Sequence, residues 1–223
     1  FVAFVWKWFY YAPNTYKYYS LIQLRTNNED KYNMLSEEDL TEPYTLYDHI
    51  VNNKSWMNGL FIKVLGPYFI YMFCIIPMMW YIINSYMRWN IMENVFINLV
   101  LAELLTNLHS FIVIVTNHCG EDLYRFSTHV EPRSSEFYLR QIISSANFTT
   151  GNDFIDFLHG WLNYQIEHHL FPDLSMYQYR LALPRVKKIC KKHKIPYVQE
   201  NVFIRLCKTV DIMTGKTSMR KFN

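Results

Sequence analysis

At 223 residues the chain is long enough for a domain, yet half of it is apolar, 18% is aromatic and only six residues are glycine, a composition that argues against an ordinary soluble globule. The formal charge of +3 is unevenly spread, with 15 of the 22 basic side chains beyond Thr116, so it describes a basic tail beside apolar stretches and gives no sign of a nucleic-acid partner. Cys74, Cys119, Cys190 and Cys207 form no C-x-x-C pair and no small-domain spacing, which excludes a disulfide framework.

In chain order, the first eleven residues, FVAFVWKWFYY, are too few to span a bilayer, which takes about 20. They read as the tail of a truncated span or as a segment in the headgroup belt, where Trp6, Trp8, Phe9, Tyr10 and Tyr11 around Lys7 would suit. The chain opens on Phe1, without a charged leader, and reads as a fragment. Pro13 to Gly59 is polar and mixed in charge and reads as a solvent-side loop with short helices. Val64 to Ile83 is of spanning length and carries no charged side chain, and Val95 to Thr116 is a second stretch of spanning length. Pro67 and Pro77 are tolerable in a span if neighbours satisfy the freed backbone. The two spans predict a helical hairpin.

The second span has a polar face. On a helical wheel that takes Glu103 as its reference, Asn107, Ser110, Asn117 and His118 all fall on the Glu103 side, while His109 falls well away from them. Such a stripe faces a bundle interior or a functional cavity, or forms a hydrogen-bonded packing seam. Only Arg88 lies in the turn between the spans, whereas the residues after Thr116 are rich in Lys and Arg, so both outer segments are expected in the cytosol. Asn53-Lys54-Ser55 and Asn147-Phe148-Thr149, which match the glycosylation pattern, are then chance matches.

The stretch Gly151 to Leu174, GNDFIDFLHGWLNYQIEHHLFPDL, predicts one helix, capped by Asn152, with Asp153 and Asp156 near its start and Pro172 as its stop. Gln165, His168 and His169 then share one flank at i, i+3 and i+4. By themselves these residues leave two readings: histidines satisfied by ordinary hydrogen bonds, or metal ligands in an aromatic and apolar shell of Trp161, Tyr164, Leu170 and Phe171. Beyond them a basic helix from Pro184 to Lys194 carries Lys187, Lys188, Lys191 and Lys192, a solvated face or a surface for anionic headgroups or an acidic electron donor.

QIEHHLFP resembles the third histidine box, Gln-x-x-His-His, of the membrane fatty-acid desaturases, in particular the front-end branch. The likeness extends through LNYQIEHHLFPDL and PRVKKICKKHKIPY, and Asn117-His118 is similar to the Asn-His at the cytosolic end of that branch's last span. The resemblance implies an all-α, integral membrane helical hairpin with cytosolic helices carrying the histidine box, spans at about 64–83 and 95–116 and a cytosolic catalytic region over 117–223, the whole of 1–223 being the carboxy-terminal part of a desaturase domain. It implies His168, His169 and Gln165 as the catalytic constellation, His118, His168 and His169 as iron ligands, and Asn117, Gln165, His159 and Asn163 as side chains that orient them. It further implies a di-iron centre, dioxygen as co-substrate, electrons from cytochrome b5 or ferredoxin, an acyl lipid or acyl-CoA substrate, and residence in the endoplasmic reticulum or a bacterial inner membrane. Removing hydrogen from an unactivated methylene is beyond acid–base side chains, and imidazole-held iron with open positions can supply the oxidising power.

The departure from the family pattern is that the other two histidine boxes are absent, His49 being the only histidine before Gly59. They are expected upstream, so activity is expected of an intact parent. His129 and His193 read as surface residues, and Glu121-Asp122 as an acidic turn or an acceptor for His118. Two further readings stay open: a membrane di-iron hydroxylase, against which Gln165 in place of histidine speaks, and a non-catalytic membrane interaction subunit. A metalloprotease is excluded, since HExxH is absent and HxxEH would need a histidine at Tyr164.

Overall fold

The computed structural model describes residues 2–52, 54, 57–87, 91–126, 128 and 130–222. Asn53, Ser55, Arg88 and His129 lie outside the described residues. The chain is predominantly helical, as expected, and divides into two compact units, Phe1–His109 and Ser110–Asn223.

The first unit opens with α1 (Val2–Trp6), a π-helical turn (Lys7–Tyr11) and α2 (Ala12–Asn27), so helix continues well into the region expected as loop. Short helices α3 (Glu29–Asn33), α4 (Glu37–Thr41) and α5 (Leu46–Asn52) follow. The side chains of Asn28 and Ser36 cap α3 and α4, accepting from the N–H groups of Lys31 and Asp39. A second helical run passes through α6 (Gly66–Ile70) and α7 (Ile76–Met87), with π-helical turns at Leu60–Leu65 and Tyr71–Ile75, and is followed by α8 (Ile91–Ile114).

Two stretches, Leu60–Ile83 and Ile91–Asn117, are long and apolar enough to cross a membrane. They exceed the expected spans by a few residues because helical hydrogen bonding continues across Lys63 and Glu93, which hydropathy alone would place outside. The two runs meet antiparallel: Phe73 packs edge-on against Phe96 at 6.1 Å, and Tyr68 hydrogen-bonds Glu103. Lys7 Nζ joins this pair, 3.0 Å from the Tyr68 hydroxyl and 3.2 Å from the Glu103 carboxylate, while its N–H donates to Asn107 Oδ1. In the first unit, therefore, the polar face of α8 forms a packing seam that satisfies a carboxylate and a cation together.

The second unit begins in the last residues of α8 and continues through a 3-10 turn (Val115–Asn117) into β1 (Tyr124–Arg125), α9 (Ser135–Ile143), β2 (Ala146–Phe148), α10 (Asp153–Leu158), α11 (Gln165–Leu170), α12 (Met176–His193), β3 (Val198–Glu200), α13 (Val202–Met213) and β4 (Arg220–Lys221). β1 pairs with β4 and β2 with β3, both parallel, with Asn147 opposite Gln199. Strands this short leave no alternating pattern in the sequence. The core gathers Ile142 and Ile143 of α9, Ile166 of α11, and Val186 and Cys190 of α12. A capping box of Ser175 and Gln178 starts α12, earlier than the basic segment alone suggests.

The single helix expected from Asn152 to Pro172 is corrected to two. Asn152 does cap α10, its side chain accepting from the Ile155 N–H at 2.9 Å. The helix then closes in a Schellman turn: Trp161 N–H donates to Asp156 O at 2.8 Å, Gly160 N–H to Phe157 O at 2.9 Å, and Gly160 lies at φ +56°. The fully buried Asp156 carboxylate holds the reversal together, accepting from Asn163, Tyr164 and Arg180. Gly160→Ala is expected to cost about 1–2 kcal/mol in thermal or denaturant unfolding, the penalty of a Cβ in the left-handed region. Gly151→Ala, where no such conformation is required and nothing lies within 4 Å of the added carbon, should leave stability unchanged; equal effects would contradict the turn.

Candidate functional site

Three segments of the second unit converge: the end of α8 with its 3-10 turn, α9, and α11. Asn117 and His118 come from the first, Gln141 from the second, and Gln165, His168 and His169 from the third. Because α11 begins at Gln165, the glutamine and His169 stand one helical turn apart on one flank, as their spacing predicts.

The centre of the arrangement is the Gln165 amide. Its nitrogen lies 3.2 Å from His118 Nε2 and 2.8 Å from His169 Nε2, and the two rings are 4.9 Å apart between centroids. Asn117 Nδ2 donates to Gln165 Oε1 at 3.3 Å, which sets the amide so that its nitrogen faces the rings. An amide nitrogen can only donate, so both Nε2 atoms must be acceptors with their protons on Nδ1. The outer side of the His169 ring agrees, its Nδ1 facing Gln141 Oε1 at 3.0 Å, while the backbone at Ser144 favours the charged form of His118 against burial. His168 turns to a different partner, its Nδ1 lying 3.1 Å from the Tyr179 hydroxyl, which itself donates to the Pro172 carbonyl at 3.3 Å.

Burial acts in the same direction. It lowers the His118 pKa below the usual histidine range, and it lowers that of His169 to about 4, with the neighbouring His118 and His168 charges adding to the effect. These two imidazoles are therefore neutral near pH 7, the form that ligates metal.

α11 is pegged from its opposite flank. The fully buried Glu167 carboxylate accepts from Asn147 Nδ2 at 2.7 Å and from the Tyr197 hydroxyl at 2.9 Å, and Ile166 N–H donates to Asn147 Oδ1 at 2.8 Å. Burial raises the Glu167 pKa against the pull of those two bonds. With its amide committed inside the core, Asn147 offers no free nitrogen to a glycan.

His118 is held by another clamp. Arg205 of α13, fully buried, donates to the carbonyls of Thr116 at 3.3 Å and Cys119 at 3.0 Å, and places Nη1 2.7 and 2.8 Å from the two Asp122 oxygens. Lys208 reaches the same Asp122 at 2.8 Å. Asp122 thus serves the cations of α13 and does not accept from His118. Asn117 ties the turn to the segment ahead of α11, donating to Leu162 O at 2.8 Å.

The remaining expected residues lie elsewhere. His159 caps the end of α10, with Nδ1 2.7 Å from Ile155 O and its ring against Phe148. Asn163 serves Asp156, and His109 and His193 are exposed. Composition and spacing point to none of Gln141, Ser144, Tyr179 and Asn147. Arg205 has a readable signal: with Thr209 it forms an i, i+4 polar pair on one face of the amphipathic helix VFIRLCKTVDIM.

Among the described residues no group of three or more His, Cys, Asp or Glu side chains is arranged to hold a metal ion. The residues fit part of a ligand set: two neutral imidazoles with lone pairs turned to one point, a third alongside, and the outer nitrogens of His168 and His169 anchored to protein. Asn117 Oδ1, in the residue preceding His118, is a buried acceptor with no donor among the described residues.

An all-α protein with paired apolar helices and a cluster of anchored imidazoles after the second of them is the class that fold and site define. The sequence model described as fatty acid desaturase matches residues 4–201, and the chain belongs to that family. It is similar to the acyl-lipid (9-3)-desaturase of Physcomitrium patens, 34% identical over 112 residues, covering 50% of this chain and 20% of that protein. It is similar also to the Delta(6)-fatty-acid desaturase fat-3 of Caenorhabditis elegans, 36% identical over 91 residues (41% and 20%), and to the NADPH-dependent stearoyl-CoA 9-desaturase of Mycobacterium tuberculosis, 34% over 113 residues (49% and 26%). The matches thus span about a fifth to a quarter of these relatives. No solved structure matches.

Arg205→Met is expected to destabilise the protein by about 3–5 kcal/mol in denaturant unfolding, because it strips a buried partner from Asp122 and two carbonyls. Lys208→Met, on a partly exposed neighbour, should cost under about 1 kcal/mol. Equal losses would show that the clamp does not depend on the buried guanidinium.

Proposed function

We propose that this chain carries the third histidine box, and the additional imidazole at the end of the last span, of a front-end fatty-acid desaturase embedded in a membrane. The observation that carries the reading is the Gln165 amide standing between the Nε2 atoms of His118 and His169 while the opposite nitrogen of His169 is engaged by Gln141. A residue set built for ordinary packing has no need to leave two imidazole lone pairs facing one donor.

His118, His168 and His169 would hold iron, with Gln165 as a ligand or as the group that aligns the rings. Three imidazoles are too few for a di-iron centre, so its other ligands come from residues outside this sequence. Bound iron supplies, with dioxygen and electrons from cytochrome b5 or ferredoxin, the oxidising power for removing hydrogen from an unactivated methylene. The chain's own residues do the positioning. Gln141 and Tyr179 fix His169 and His168 in the Nδ1–H tautomer, the Gln165 amide requires the same of His118, and burial keeps His118 and His169 neutral. The substrate is an acyl chain carried on a lipid or on coenzyme A, and the histidines lie on the cytosolic side of the endoplasmic reticulum, or of the inner membrane in a bacterium.

Expressed within its parent reading frame in a host lacking the product, the protein is expected to introduce double bonds into acyl lipids, and His169→Ala to abolish them. Hydroxylated acyl chains as the main product would overturn the desaturase reading in favour of a membrane hydroxylase. On the same protein, Gln141→Leu is expected to weaken cobalt(II) binding by about 10–100-fold, the usual effect of removing a ligand's anchor. Unchanged affinity in an optical titration would remove Gln141 from that role.

A further inference from the structure

α13 is amphipathic the wrong way round for a soluble protein. Its inward side carries Arg205 and Thr209, both fully buried, whereas Phe203, Ile204, Val210 and Met213 are 69%, 51%, 46% and 50% exposed, with Cys207 exposed among them. On a helical wheel these five fall within about half of the circumference. Asp211, at the margin, is paired with Lys216. Apart from that pair and the Cys207 thiol, the arc within the helix is apolar.

The helix is fastened to the end of an apolar span. Arg205 donates to the Thr116 and Cys119 carbonyls, and the Thr209 hydroxyl lies 3.3 Å from Cys119 O, while the candidate span ends at Asn117. α10, tied to Asn117 through Leu162, shows the same inversion, with Asp156 buried and Phe154 and Phe157 exposed. A protein partner would ordinarily meet a mixed surface with polar groups around its whole rim, whereas a bilayer boundary accepts a broad apolar face with a single ion pair at one edge.

We propose that the outward face of α13, from Phe203 to Met213, lies in the bilayer boundary, its apolar side chains inserted beside the point where α8 leaves the hydrocarbon. The membrane then holds α13 from outside while Arg205 holds the His118 turn from inside, so lipid contact and the placement of His118 are coupled through one helix. The inference rests on α8 spanning the membrane.

Its test uses native cysteines. The chain is placed in phospholipid nanodiscs with a polarity-sensitive fluorophore on Cys207, Cys74 and Cys119 being replaced by Ser, and in a second sample the fluorophore is on Cys74, inside the first apolar span, with Cys119 and Cys207 replaced. Cys190 is buried and stays unlabelled. Lipid-borne nitroxides near the headgroups are expected to quench the Cys207 label about twofold, with aqueous iodide having little effect, as for a side chain about 5–10 Å into the boundary. Quenching by iodide alone would show a water-facing helix, and quenching by neither agent would show a protein cover; either result overturns the proposal. Deep nitroxides should quench the Cys74 label whatever happens at Cys207, so their failure there indicts the spanning reading itself. A label on Met213→Cys in a Cys207→Ser background repeats the measurement at the far end of the face.

Discussion

One side-chain amide, that of Gln165, sets the chemistry of the site by the direction in which it donates. With its oxygen accepting from Asn117, its nitrogen faces two imidazoles, and both must accept. That requirement propagates outward, since a ring that accepts at Nε2 donates at Nδ1, and Gln141 stands ready to receive from His169. The resulting tautomers are those a metal ion requires of rings that bind through Nε2. The amide thus marks the point on which the two imidazole lone pairs converge.

Such a site needs stiff surroundings, and the second unit obtains them from buried polar contacts more than from its modest apolar core. Glu167, Asp156 and Arg205 are fully buried ionisable groups, and each is matched by hydrogen bonds of opposite character. Buried charge of this kind adds little net stability compared with apolar packing, but removing one partner is expensive, so the arrangement tolerates few alternatives. Each network fixes a different segment: Glu167 the inner flank of α11, Asp156 the reversal before it, and Arg205 the turn that presents His118. The histidines are placed by what surrounds the elements that carry them.

Much of this is readable from the sequence where the signal is local. The apolar stretches, the cap at Asn152, the i, i+4 relation of Gln165 to His169 and the pairing of Glu103 with Asn107 follow from helical geometry, whereas His118 reaches His169 from beyond the end of α8, past a 3-10 turn where the helical wheel no longer applies. Non-local signals are not readable. The approach of Gln141 to His169 joins residues 28 apart, and that of Arg205 to Thr116 joins residues 89 apart, with no periodicity to announce either. The break at Gly160 does carry a local signal that outweighs the helical periodicity around it, since a glycine after a histidine between two apolar runs is the ordinary mark of a helix end. His159 and Asn163 would stand beside the imidazoles only on a continuous helix; the Schellman turn sends them to Phe148 and Asp156.

The central claim is that His118 and His169 turn their Nε2 atoms to the same metal ion. X-ray absorption at the iron edge of the iron-loaded parent protein tests this directly, because imidazole carbons give a distinct outer-shell signal that counts the rings bound. The account predicts that His118→Ala and His169→Ala each remove imidazole scattering while iron remains bound through the other ligands. An unchanged imidazole signal in either variant would contradict it.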